Sequence, residues 1–162
     1  MLLSRQNKKN KSLSPSKTNL STQNNLSNDI NTYIQKTDFS GALAILSSKR
    51  RNGANDLDTS LWIAYCHAHL GDYKSAIKEY KKLLKSVEGS GSTSNLNGKS
   101  HKETIGILQV LLSVGLFMLG EYDSAKKFAE LGKPHTSDNY KKLAIRVLFH
   151  VSHKVSKLLD KA

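Results

Sequence analysis

SLWIAYCHAHLGDYKSAIKEYKKLLK, residues 60–85, decides the fold. Two amphipathic stretches meet at the turn Leu70-Gly71-Asp72-Tyr73. Before the turn, Leu61, Ala64, Tyr65 and Ala68 recur at three and four residues, the spacing of one helix face. After it, Tyr73, Ala76, Ile77, Tyr80 and Leu84 share a face, while Lys74, Lys78, Glu79, Lys81 and Lys82 turn to water. Gly71 suits the left-handed backbone with which helices often end. Asp72 is placed to cap the free amides of the next helix. Ala64, Ala68 and Ala76 leave little side chain to hold the two backbones apart. The stretch predicts a helical hairpin.

The turn recurs. Leu119-Gly120-Glu121-Tyr122-Asp123-Ser124-Ala125 aligns with Leu70–Ala76 at an offset of 49 residues. Upstream, Phe39 and Ala42 of Asp38-Phe39-Ser40-Gly41-Ala42-Leu43 align with Tyr73 and Ala76 at an offset of 34. The longer offset is absorbed by the Gly/Ser/Asn-rich stretch from Glu88 to Ser100, because insertions between stacked repeats fall in loops. A period of 34 resembles the tetratricopeptide repeat. The predicted fold is all-α, with tetratricopeptide-like helical hairpins stacked as a short right-handed solenoid. Its repeat-defining packing positions are Phe39, Ala42, Gly71, Tyr73, Ala76, Gly120, Tyr122 and Ala125. The array spans residues 26–162 with a flexible loop at 88–100. Residues 1–25 are too polar to offset the entropy of ordering and read as a disordered basic arm.

Leu26, Ile30, Tyr33 and Ile34 predict a short first helix capped by Ser27 or Asn28. Its partner begins at Phe39 and exits at Gly53. Asp58 or Thr59 is expected to cap the first helix of the central hairpin, with Trp62 packed on the preceding repeat. Lys102 to Leu119 is the third repeat's first helix. Ile105, Leu108, Leu112, Leu116 and Leu119 line one face, and Ile107, Leu111, Val114 and Phe117 widen it. Gly106, Ser113 and Gly115 allow neighbours to approach. So apolar a helix is either sandwiched or presents a binding surface. Tyr122 to Leu131 follows, ended by Gly132 and Pro134. A final helix, capped by Ser137 or Asp138, runs to Leu159 with Leu143, Val147, Phe149, His150, Val151 and Leu158 on its apolar side. Phe117, Leu148 and Phe149 are the candidate partner surface.

The formal charge is +12, from 25 basic and 13 acidic residues, a balance that suits an acidic partner. Candidate contacts for such a partner are Lys8, Lys9 and Lys11 in the arm and Lys49, Arg50 and Arg51 near a helix end. Solubility of the arm and the helix dipole account for the same residues. Nucleic acid is the alternative partner. It is less favoured, because Tyr65, Tyr73, Tyr80 and Tyr122 fall at repeat-core positions and leave few rings for base stacking. No run of 18 apolar residues occurs, so no membrane insertion is expected. Met1-Leu2-Leu3 followed by charge is no secretory signal, and the cytosol or a compartment open to it is the expected location.

Catalytic chemistry is missing. No carboxylate pair stands out. Cys66, the single cysteine, reads as a small core residue. His67 and His69 diverge on a helix, and His150 and His153 share a face but would need further ligands to hold a metal. Gly98-Lys99-Ser100 mimics the end of a phosphate-binding loop without the preceding strand or the earlier glycine. No cofactor, no metal and no enzymatic activity are expected.

Several blocks, in order, carry a closer likeness. They are Leu3-Ser4-Arg5, Asp38-Phe39-Ser40-Gly41-Ala42, Lys49-Arg50, and Leu61-Trp62-Ile63-Ala64-Tyr65-Cys66 running into His69-Leu70-Gly71-Asp72-Tyr73. Phe117 to Tyr122 and Leu148-Phe149-His150-Val151-Ser152-His153-Lys154 follow. With these the chain resembles the N-terminal part of the tetratricopeptide-repeat subunit of intraflagellar transport complex B. That resemblance implies a non-catalytic helical scaffold of a ciliary transport train, binding other complex B subunits in the cytoplasm and cilium. Members of that family are several times longer, so a fragment or shortened relative is expected.

Overall fold

Three turns of one geometry set the architecture. In the central turn Gly71 has φ +79°, its amide donates to the Ala68 carbonyl at 3.2 Å, and the Asp72 amide donates to the His67 carbonyl at 2.9 Å. Forty-nine residues on, Gly120 has φ +81°, with Gly120 donating to Phe117 at 3.0 Å and Glu121 to Leu116 at 3.0 Å. Thirty-four residues back, Thr37 donates to Ile34 at 3.0 Å and Asp38 to Tyr33 at 2.9 Å. The repeat offsets therefore hold bond by bond. In the first turn, however, a threonine occupies the left-handed position at φ +56°. A β-branched residue is strained there, and glycine is not.

The computed structural model of the chain describes residues 30–53, 56–89 and 99–160. Residues 30–35 are helical (α1), followed by Phe39–Arg51 (α2), Leu57–His69 (α3), Tyr73–Gly89 (α4), His101–Met118 (α5) and Tyr122–Gly132 (α6). A short 3-10 turn, Lys133–His135, leads to Asp138–Leu159 (α7). Among the described residues there is no strand, and the helices are those of tetratricopeptide-like hairpins. The basic arm with Lys8, Lys9 and Lys11, the first-helix residues Leu26, Ser27 and Asn28, and positions 90–98 of the expected loop lie outside the described residues. So does the side chain of Leu158. Glu88 and Gly89, expected in that loop, are the last turn of α4.

Side-chain caps start most helices. Asp38 accepts from the Gly41 amide, Asp72 from the Ser75 amide and Ser100 from the Glu103 amide. For α3 the cap is Asp56, not Asp58 or Thr59: its carboxylate accepts the Thr59 amide, and Thr59 itself is buried. The Thr59 hydrogen bonds and nearby Lys49 outweigh partial burial and hold the Asp56 carboxyl below the usual range.

Ala42, Ala76 and Ala125, equivalent in the three repeats, are all fully buried. The larger core joins α4 to α7 and takes Ala64 from α3; the smaller joins Ile30, Ala42 and Leu46 to Ile63 and Cys66 of α3. Helix α3 thus buries two faces, and Trp62 packs with the smaller cluster. Burial pushes the Cys66 thiol up to about 11. Helix α5 is likewise sandwiched, with α4 on one side and α6 and α7 on the other. Its Leu119, expected on the apolar face, lies past the helix end and is exposed. Helix α6 ends at Gly132, as expected, ahead of the 3-10 turn that carries Pro134; the glycine itself is helical and buried, and a Cβ there would stand 2.5 Å from the Gly106 carbonyl oxygen. The two glycines let the start of α5 touch the end of α6.

One ion pair ties the two cores. Arg50 of α2 reaches Glu79 of α4 with bonds of 3.1 and 2.9 Å, and Ser60 of α3 at 3.2 Å. Burial raises the Glu79 carboxyl, but the Arg50 hydrogen bonds and charge, with Lys82 and His67, more than reverse this and leave it lowered.

Three outcomes follow from this geometry. Thr37→Gly should stabilise the first hairpin by up to about 1 kcal/mol, strain relief being partly offset by the freer unfolded chain; equilibrium denaturation would show a raised midpoint. Arg50→Ala should cost about 1–3 kcal/mol by leaving Glu79 unpaired, while Arg50→Met with Glu79→Met should recover most of it. Because the folded Glu79 pKa is depressed, its contribution is complete above about pH 4.5, the ordinary carboxyl value, and lost as pH falls through the folded value. Glu79→Gln should remove that part of the acid sensitivity in pH-dependent melts.

Candidate functional site: an aromatic cleft between the inner helices

The sandwiching of α3 and α5 leaves their remaining side free, and there a cleft of about 440 Å³ opens. Helix α3 supplies Leu61, Trp62 and Tyr65, with Asp58 one turn earlier at the rim. Leu111 of α5 and Tyr80 of α4 form part of the lining, and α7 closes the far side with Tyr140 and Leu143. The helical spacing of Asp58, Leu61, Trp62 and Tyr65 puts them on one side of α3.

Ring packing fixes the α3 wall. Trp62 meets Tyr65 edge-on at 5.5 Å; Tyr65 lies 4.3 Å from His69 and 6.0 Å from Phe39 of α2, and Phe39 stacks on His69 at 4.4 Å. On the opposite wall the Lys99 ammonium sits 5.3 Å from the centre of the Tyr140 ring. Burial pushes the Tyr80 hydroxyl well above the ordinary tyrosine value, with Tyr140, Tyr65 and Cys66 adding to the shift. The cleft is therefore mostly apolar and aromatic, with one carboxylate, Asp58, in its lining. Such a lining holds apolar side chains of a ligand and orients it with few polar contacts.

The expected partner surface divides. Phe117 and Leu148 pack against the larger core, Phe117 lying 5.7 Å from Tyr122 and 6.0 Å from His150. Phe149, expected on the apolar side of α7, is 67% exposed, and His150 is exposed too. The side of α7 that packs inward carries Ala144, Val147 and Val151, and Phe149 falls outside that stripe, one turn after the exposed Ile145. Of the basic triplet, Lys49 pairs with Asp56 at 3.6 Å and Arg50 is turned inward onto Glu79. Arg51 is exposed. Among the described residues no group of three His, Cys, Asp or Glu side chains is placed to hold a metal ion, and no helix is long and apolar enough to cross a membrane.

The sequence reading missed the cleft, although its signal was present. Leu61 and Tyr65 were assigned to the hairpin face and Trp62 to the preceding repeat. An aromatic pair at i and i+3 that one hairpin face cannot bury completely marks a third surface.

The family model described as intraflagellar transport protein 56 matches residues 60–160, more than half of the chain. Among solved structures, the chain is similar to the Sgt2 tetratricopeptide-repeat domain from Aspergillus fumigatus, at 15% identity and a TM-score of 0.62, covering 86% of this chain and 82% of that one. It is also similar to the TPR2AB domain of yeast Sti1 in its complex with pHSP90, at 12% identity and a TM-score of 0.66, covering 87% of this chain and 50% of that one. The Yersinia enterocolitica type III secretion chaperone SycD, in complex with a peptide of the translocator YopD, matches at 18% identity and a TM-score of 0.63, covering 84% and 96%. At such identities these likenesses concern the fold.

If Tyr80 is as enclosed as this geometry requires, it should ionise only when the cleft opens. Alkaline titration followed at 295 nm should show its share of the tyrosine signal arriving together with the loss of helicity, not before it.

Proposed function

The chain belongs to the intraflagellar transport protein 56 family, and on that premise we propose that it is a non-catalytic protein-interaction scaffold of the intraflagellar transport machinery. Its partners are other subunits of complex B, and it works in the cytoplasm and cilium. The observation that carries this reading is the aromatic cleft, whose rings Trp62, Tyr65, Tyr80 and Tyr140 all fall within the residues matched by the family. Its chemistry suits an extended or helical segment of another protein whose apolar side chains enter between Trp62 and Tyr140. The complexes of yeast Sti1 with pHSP90 and of SycD with a YopD peptide support the same kind of use for this fold.

The test combines recovery with a cleft variant. Tagged protein purified from ciliated cells should bring down complex B subunits, identified by mass spectrometry. Tyr140→Ser with Asp58→Lys should weaken binding of the recovered subunit, remeasured with purified components, by at least about tenfold, as loss of an aromatic anchor does. Circular dichroism would verify that the variant stays helical. A folded, monomeric chain that binds no complex B subunit at micromolar concentration would overturn the assignment.

A further inference from the structure

Helix α4 carries a second surface, on the side away from the core. Lys74, Lys78, Lys81, Lys82 and Lys85 recur at four, three, one and three residues, all exposed. They surround a shallow depression of about 510 Å³ in which Ile77 is the one other lining residue. The eleven helical rises from Lys74 to Lys85 make this basic stripe roughly 16 Å long. None of the five lysines forms an ion pair with a carboxylate of the described chain; the ion pairs lie elsewhere. Of the two acids of this helix, Glu79 is held by Arg50, and Glu88 stands in the last turn, three residues past Lys85. The stripe is thus a row of positive charge without close ion pairs at i, i+4 and i+3 spacings, only Lys82 feeling the Glu79 carboxylate, and such like charges repel one another on a helix.

We propose that this outer face of α4 docks an acidic segment of a partner protein, independently of what occupies the cleft. The complementary charge is carboxylate in a linear array. A helical segment with Glu or Asp at three- and four-residue spacing presents such a row in register with the lysines. The stripe lacks what other anions select. It has no arginine to fork onto a phosphate and no exposed aromatic ring on which a base could stack. Ile77 is buried, so no apolar side chain is free on this face to enter a lipid surface.

The test uses the full chain and three probes at physiological salt. The probes are a labelled 16-residue helical peptide of Glu and Ala with Glu at i and i+4 spacing, vesicles containing phosphatidylserine, and a 20-base-pair DNA duplex. Lys78→Gln, Lys81→Gln and Lys82→Gln together should weaken peptide binding about tenfold. Lys142→Gln, Lys154→Gln and Lys157→Gln on α7 remove the same charge and should change it less than twofold. Glutamine keeps good helix propensity, and Lys74→Gln with Lys85→Gln gives a second stripe variant with the same expected direction. Equal losses in the stripe and α7 variants would overturn the proposal, since net charge would then explain the binding. So would a duplex or vesicle that depends on the stripe more than the peptide does. The Tyr140→Ser, Asp58→Lys variant should bind the peptide normally, which separates this surface from the cleft.

Discussion

Two helices of this chain must bury opposite faces at once, and the rest of the structure depends on how they do it. A helix flanked on both sides can keep bulky side chains on only part of its circumference; elsewhere its backbone has to meet a neighbour closely. Alanine at positions 42, 76 and 125, serine at 113 and glycine at 106, 115 and 132 provide those approaches. The gain is large for a short array. Leu108, Leu112 and Leu116 are almost wholly withdrawn from water, each worth roughly 1.5–3 kcal/mol of transfer free energy before the entropy of ordering is counted. The same close packing spreads α3, α4, α5 and α7 around a common rim, and the cleft is the space they leave.

Local sequence carries the turns well because their requirements are local. Gly71 and Gly120 announce a left-handed residue, and Asp72 announces a cap. Thr37 shows the limit: it occupies the same position against its own preference, held by the packing of α1 on α2, so only the alignment of neighbouring Phe39 and Ala42 reveals it. Gly132 carries a second demand that sequence does not announce: it ends α6 as a glycine shortly before a proline suggests, and its missing side chain is also required by a carbonyl one helix away. Local sequence does not settle where Phe149 and Arg50 point, because rotation of a helix about its axis, and the reach of a guanidinium across a neighbouring helix, are tertiary facts. A few tens of degrees decide whether a phenylalanine faces the core or water.

The protein sorts its chemistry by side. The inner helices offer rings, with one carboxylate at the margin; the outer face of α4 offers ammonium groups along a ridge. Arg50, which has the geometry best suited to grip an anion, is spent internally on Glu79. Lysines remain for the surface, where a mobile, strongly hydrated charge steers association more than it locks a complex. The two proposed surfaces share no residue, so neither would compete for the other's contacts.

Cys66 lies at the seam between the two cores, and that position has a kinetic consequence. A thiol so deeply withdrawn, with its ionisation displaced to about 11, presents almost no thiolate to solvent at neutral pH. Alkylation must wait until α2 swings away from α3, an excursion restrained by the link from Arg50 to Glu79. As the single cysteine of the chain, it turns each such excursion into a permanent chemical mark. The labelling rate is therefore a clock for local opening of the N-terminal hairpin, running separately from the global unfolding of the helices behind it.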